Sequence, residues 1–374
     1  METKGDPTMI EHRSRISRRA FLANASVATL AVGGAAALVG AKAAEGAAAV
    51  VTDTTKTFRW RLQHIEPSTS ANYKIYEQWA KDIDTASNGR LKIRLFPAGS
   101  LAPNEEAFDA VGKGQFEMAV SSPGYHRAKM PEIEAVNPPH AHRNLTDLLL
   151  IYYKGGLRDF YRESYAAHNI FLLDMAACRG VVLLSTKPVN SVEDLAKLKI
   201  RTHTTYAQFV EKLGAKTVFI PGGEVYTGLS SGTADAATWG DETTIRDLKW
   251  YEVAKYLVYP MLLEAMFSYD TLVNKKAWES LSPDLQMIMQ KASSDHIVVG
   301  NYLKDMSLKD QSVAEMAKAG VKASHIREED YPKLVQAAEA VWASTAAKSP
   351  RAKQAMKIIT DYFRTQGYTK FKID

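Results

Sequence analysis

One block of hydrophobic and turn pattern occurs twice in this chain, and that repetition limits the fold more than any other feature. In the first copy Phe58 to Gln63 reads as a strand, 64–70 as a polar loop and 73–83 as a helix closed by Asn88-Gly89, with Leu91 to Phe96 as the next strand. In the second, 198–201 is the strand, 203–205 the loop, 206–213 the helix stopped by Gly214, and 217–220 the next strand. Each copy then passes a Pro/Gly turn, Pro97-Ala98-Gly99 or Pro221-Gly222-Gly223, into a short helix. From Glu106, the positions Phe108, Val111, Gly114, Phe116, Glu117 and Ala119 have the same offsets as Tyr226, Leu229, Gly232, Ala234, Asp235 and Ala237 counted from Glu224.

Strand, helix, strand, helix, strand predicts a parallel sheet covered on both faces, because parallel neighbours need a crossover connection. Two such units predict an α/β protein of two lobes, each a mostly parallel sheet flanked by helices. Ligands in open sheets of this kind sit beyond the carboxyl ends of the strands, so facing lobes enclose a cleft lined by the loops after those strands. The expected division is 52–176 with about 266–305 in lobe I, and 177–265 with about 306–374 in lobe II. Helices are expected over 145–153 and 157–165, at Ser282-Pro283 and over 304–318.

Residues 1–43 read as an export signal. Arg18-Arg19 precedes a charge-free stretch rich in Ala and Gly, and Ala41-Lys42-Ala43 offers a cleavage site, so the protein is expected in the periplasm. Removing this segment leaves 41 basic and 39 acidic residues of the 47 and 42 in the whole chain, a net charge of +2. That balance carries no nucleic-acid footprint. Cys178 is the only cysteine, so intrachain disulfides and thiolate metal clusters are excluded.

Gly228-Leu229-Ser230-Ser231-Gly232 matches a nucleophile-elbow pattern, but Ser230 falls near the end of a helix whose inward face is Val225, Tyr226 and Leu229, not on a strand-to-helix turn. His126, His140, His142 and His203 lack zincin spacing and read as loop residues. Arg201 ends an apolar strand at the mouth of the expected cleft and precedes a helix start, a combination suited to a carboxylate; a solvated surface arginine is the competing reading. Trp239 ends another strand as core residue or ligand platform. Asp241 and Glu242 are weak candidates, with Trp239, for holding a sodium or calcium ion; a solvated acidic loop is the alternative.

The block from Leu198 to Trp239 resembles the substrate-binding proteins of tripartite ATP-independent periplasmic transporters. Lys199-Ile200-Arg201, Leu213-Gly214-Ala215, Pro221-Gly222-Gly223-Glu224-Val225-Tyr226 and Gly232-x-Ala234-Asp235-Ala236 occur in that family's order, and the resemblance continues through Tyr259-Pro260, Lys276-Ala277-Trp278 and Leu281-Ser282-Pro283. It implies a non-catalytic receptor that closes on a small organic acid, carboxylate or sulfonate, and delivers it to integral membrane subunits. It also implies that Arg201 pairs with the ligand anion. The Pro-Gly-Gly turn and Trp239 resemble the branch for 2-oxo acids and lactate, which often holds a cation with a Gln, a Glu and the Trp carbonyl. Here Thr238 stands in place of that Glu, and the strand 178–184 has no Gln. Arg179, two residues before the place of a second family arginine, keeps the same strand face and is expected as a second anion contact. His64, Glu66, Tyr125 and Trp239 are expected to shape the pocket, and Asn274 to reach ligand from a strand crossing between lobes. A sensor or chemotaxis receptor, an exported hydrolase using Ser230 and a metal-delivery protein are the rival functions.

Overall fold

The sheet grows outward from two long antiparallel strands. The computed structural model describes residues 56–367 with 371 and 373, apart from 141–143, 203 and 221. The signal-like segment 1–43, His142, His203 and Pro221 therefore lie outside the described residues.

The strands are β1 (Phe58–Gln63), β2 (Leu91–Phe96), β3 (Met118–Ser121), β4 (Ile170–Ser185), β5 (Lys199–Arg201), β6 (Lys216–Val218), β7 (Ala236–Thr238), β8 (Tyr256–Asn274) and β9 (Lys322–His325). Their order is β2-β1-β3-β8-β4-β7-β5-β6, with β9 beside β8. The repeat is visible in it: β1 lies between β2 and β3, and β5 between β6 and β7, all parallel. The two blocks are not separate sheets. β3 pairs antiparallel with β8 and β7 with β4, and β4 and β8 run antiparallel along most of their length, joining both halves into one sheet. Register shifts at Leu172/Asp174, Ala176/Ala177 and Val181/Leu183 interrupt that pair, and such bulges bend a strand locally.

Local chemistry explains the crossovers. In α1 (Ala71–Ala86), Tyr73, Tyr76, Trp79, Ala80 and Ile83 are buried at helical spacing, and the Ser70 hydroxyl caps the start by accepting from the Tyr73 N–H at 3.0 Å. Gly114 and Gly232, equivalent in the repeat, have φ of 73° and 74°, as the stop after α2 (Ala107–Gly112) and after α4 (Val225–Ser230) requires. The helix between them in the second copy is α3 (Thr204–Lys212). Trp60, Leu62, Trp79 and Met118 pack one apolar cluster beside the first block, and Val182, Val225, Leu229 and Trp250 another beside the second. Tyr226 departs from the expected inward face of α4: it is half-exposed and its hydroxyl donates to Glu252 at 2.9 Å.

Helix α5 (Glu242–Asp247) follows β7. Helix α6 (Pro283–Ala292) runs through a π-helical stretch, Ser293–Gly300, into α7 (Asn301–Lys318). The helix expected over 145–153 likewise changes to π-type after Leu149. No helix among the described residues is long and apolar enough to cross a membrane.

Candidate ligand-binding cleft

A cavity of about 600 Å³ opens beyond the strand ends of both blocks. Ile65, Glu66, Ser122 and Tyr125 contribute from the loops after β1 and β3, Thr205, Tyr206 and Trp239 from the second block, and Met266 to Tyr269 from β8.

Arg201, the last residue of β5, is 2 % exposed. Its Nε donates to the Ile220 carbonyl at 2.9 Å and its Nη1 to the Thr238 carbonyl at 2.8 Å. The guanidinium carbon stands 4.7 Å from the centre of the Trp239 ring, which lines the cavity. Nη2 has no hydrogen-bond partner among the described residues, and no described carboxylate acts on the group. Burial alone lowers its pKa below the ordinary arginine value. A buried cation answered only by carbonyl dipoles and an aromatic face is costly in isolation, and an incoming anion removes that cost.

Arg179 is equally buried and differently employed. Its Nη2 donates to both carboxylate oxygens of Glu242, at 3.1 and 2.9 Å, Nη1 contacts the Met306 sulfur, and Asp241 lies 3.9 Å from Nε. Burial works against this charge, but Glu242 outweighs it and holds the pKa above the ordinary arginine value. The expected second anion contact is thus an internal ion pair, outside the cavity lining.

The same geometry corrects the cation candidates. Glu242 is fully buried, with its oxygens on Arg179 and on the Tyr259 hydroxyl at 2.9 Å. Asp241 caps α5 by accepting from the Thr244 N–H at 3.0 Å, and burial raises its pKa. Thr238 faces Thr202, donating to its hydroxyl at 2.9 Å. No group of three His, Cys, Asp or Glu side chains suited to a metal occurs among the described residues. The residues present do not fit the cation site of the 2-oxo acid branch.

On the opposite wall, Glu66 accepts from the Asn72 amide at 3.0 Å and from the Tyr269 hydroxyl. Burial would raise its pKa, but hydrogen bonds from Ser70, Tyr269 and Asn72 bring it below the ordinary value. His64 lies behind it, fully buried, its Nδ1 accepting from the Glu66 N–H at 3.0 Å, and burial lowers its pKa to about 4. Tyr125 is half-exposed on the lining. Asn274 is elsewhere: its side chain caps the helix Lys275–Glu279 and donates to the Val111 carbonyl at 2.8 Å.

His126, expected as a loop residue, lies in the short turn Pro123–His126 after β3 and is buried. Its Nε2 lies 2.9 Å from both the Tyr165 hydroxyl and Asp270, all buried, which ties the cavity-lining loop after β3 to β8. Ser230 Oγ donates to the Thr227 carbonyl at 3.0 Å within its own helix, and Ser230 is not part of the cavity lining. Tyr206, Tyr269 and Asn72 were not singled out from the sequence. The polar run Ser268-Tyr269-Asp270-Thr271 after the apolar Ala265-Met266-Phe267 is the sequence signal for Tyr269.

The family profile described as bacterial extracellular solute-binding protein, family 7, matches residues 62–349. A monocarboxylate 2-oxoacid-binding periplasmic protein of Nostoc sp. is 31% identical over 238 residues, 63% of this chain and 65% of that protein, so the match spans somewhat less than two thirds of that relative. An ectoine/5-hydroxyectoine-binding periplasmic protein of Ruegeria pomeroyi is 27% identical over 271 residues, covering 70% of this chain and 77% of that one. A TRAP periplasmic solute-binding protein of Colwellia psychrerythraea, solved with bound calcium and pyruvate, superposes with a TM-score of 0.73 at 26% identity, covering 84% of this chain and 97% of the other.

Proposed function

This chain belongs to the bacterial extracellular solute-binding proteins of family 7, and we propose that it captures a small organic acid in the cleft, with Arg201 binding the carboxylate, and delivers it to the membrane subunits of a tripartite ATP-independent periplasmic transporter. The observation that carries the reading is a buried guanidinium beside the cavity with no carboxylate partner among the described residues. A carboxylate seated there takes Nη2 in a charge-assisted hydrogen bond, with Trp239 stacked on the guanidinium. The two halves, 52–176 with about 266–305 and 177–265 with about 306–374, move against each other on β4 and β8. A shift in the pairing of those strands lies at Ala176/Ala177, beside the division. Solute bridging the halves stabilises the closed form, which is the state the transporter reads. Residues 1–43 direct export through a twin-arginine signal and are then removed.

Thermal-shift measurements with pyruvate, lactate, proline and glycine betaine, each beside the methyl ester or amide that lacks its carboxylate charge, test this. Acids that bind raise the melting temperature by mass action while the esters and amides do not, and Arg201→Ala removes the shift. An ester or amide that stabilises as well as its acid, or a shift that survives in Arg201→Ala, contradicts it.

A further inference from the structure

The cavity holds a second charge of the opposite sign. Glu66 lines it, and the neutral donors Asn72 and Tyr269 both bind the same oxygen, Oε1. The orientation of Asn72 is set from behind: Lys304, a donor only, bonds its Oδ1 at 2.6 Å, which turns the amide N–H₂ toward Glu66. Lys304 itself lies 3.0 Å from Asp305 and forms no ion pair with Glu66. No lysine or arginine forms an ion pair with Glu66 among the described residues; hydrogen bonds from Ser70, Tyr269 and Asn72 hold its carboxyl below its ordinary pKa, and burial lowers the pKa of His64 behind it to about 4. Of the other charged residues of the lining, Glu134 is paired with Lys348, and Arg127 is exposed and forms no described ion pair with Glu66. Besides Glu66 the cavity presents Tyr125, Tyr206, Trp239, whose ring Arg201 faces, Phe267 and Tyr269.

We infer that the solute is a zwitterion, with a carboxylate for Arg201 and a positively charged nitrogen, ammonium or amidinium, for Glu66 and the aromatic faces around it. A plain 2-oxo or hydroxy acid leaves the Glu66 anion without a cationic partner when the cleft closes, and a dicarboxylate sets like charges together; both lose affinity when desolvated. A cationic nitrogen answers the carboxylate and is attracted by the aromatic rings. The cationic nitrogen of the ligand then occupies the part that an inorganic cation plays in binding a plain acid. This rests on the reading of Arg201 as the carboxylate anchor.

The test uses pairs of acids equal in shape and different in charge: glycine betaine against 3,3-dimethylbutyrate, and proline against cyclopentanecarboxylate, titrated calorimetrically into the wild-type protein with and without chelator in sodium-free buffer. At least one zwitterion is expected to bind about tenfold or more tightly than its carbon isostere, with or without chelator. In Glu66→Gln that preference falls to nearly one, while Arg201→Gln weakens both members of the pair. Equal or tighter binding of both isosteres in an Arg201-dependent way overturns the zwitterion and leaves the acid receptor standing. So does isostere binding that needs added sodium or calcium together with Glu66, which assigns Glu66 to a metal. Failure of every carboxylate to bind through Arg201 overturns the receptor reading and this one with it. The wild-type comparison holds whether or not Glu66→Gln folds.

Discussion

Arg179 and Arg201 differ by four percentage points of exposure, 6 % and 2 %, and by everything else that matters. Arg179 stands on β4 against Glu242, so its charge is answered within the protein and its pKa rises. Arg201 stands at the end of β5 with two carbonyls and a ring, so its charge is unanswered and its pKa falls. The contrast teaches that burial alone does not identify a ligand-binding arginine. The identity of its partner does.

The strongest way to break this comparison is to remove Arg179. Arg179→Ala leaves Glu242 as an unpaired buried carboxylate, and breaking such a pair costs about 3–5 kcal/mol of folding stability. Urea denaturation of the ligand-free variant should show a loss of that size, and a change below about 1 kcal/mol would mean that the pair is solvated and the contrast false. Next in size is pH. Because the folded-state pKa of His64 is lowered from 6.5 to about 4, the unfolded chain takes up a proton that the native protein refuses. Stability is therefore expected to fall as pH drops from 6.5 toward 4, by up to about 1.4 kcal/mol per pH unit. His64→Gln should flatten that part of the profile. The smallest effect belongs to Trp239. Replacing it with leucine removes the ring from Arg201 and should weaken acid binding by about 0.5–2 kcal/mol, measured by calorimetry, with little change in ligand-free stability because the side chain is 44% exposed.

The repeat was readable because its signals are local: apolar spacing in α1, and glycines where the chain needs positive φ at 114 and 232. The union of both blocks into one sheet was not, since it depends on β4 and β8 pairing across 71 to 104 residues of chain, from Ser185↔Tyr256 to Ile170↔Asn274. The site divides in the same way. Arg201 could be found from a strand end followed by a helix start. Arg179 was assigned to the ligand because Glu242, 63 residues further on, is not predictable as its neighbour. Asn274 is the opposite case: its capping of Lys275–Glu279 is a local feature that the strand reading obscured. Glu66 was recognisable as a loop residue after β1, but the donors that keep it ionised come from Asn72 and from Tyr269, 203 residues away.

The most direct measurement is a paired one on Arg201→Gln: calorimetric titration with the tightest-binding acid of the carboxylate panel, and urea denaturation of the ligand-free protein. Loss of the buried charge pair with the ligand should weaken binding by about 2–5 kcal/mol, some 30-fold or more, while ligand-free stability stays close to wild type. If the acid still binds as tightly to Arg201→Gln, Arg201 is not the anchor and the anion is held elsewhere in the cleft.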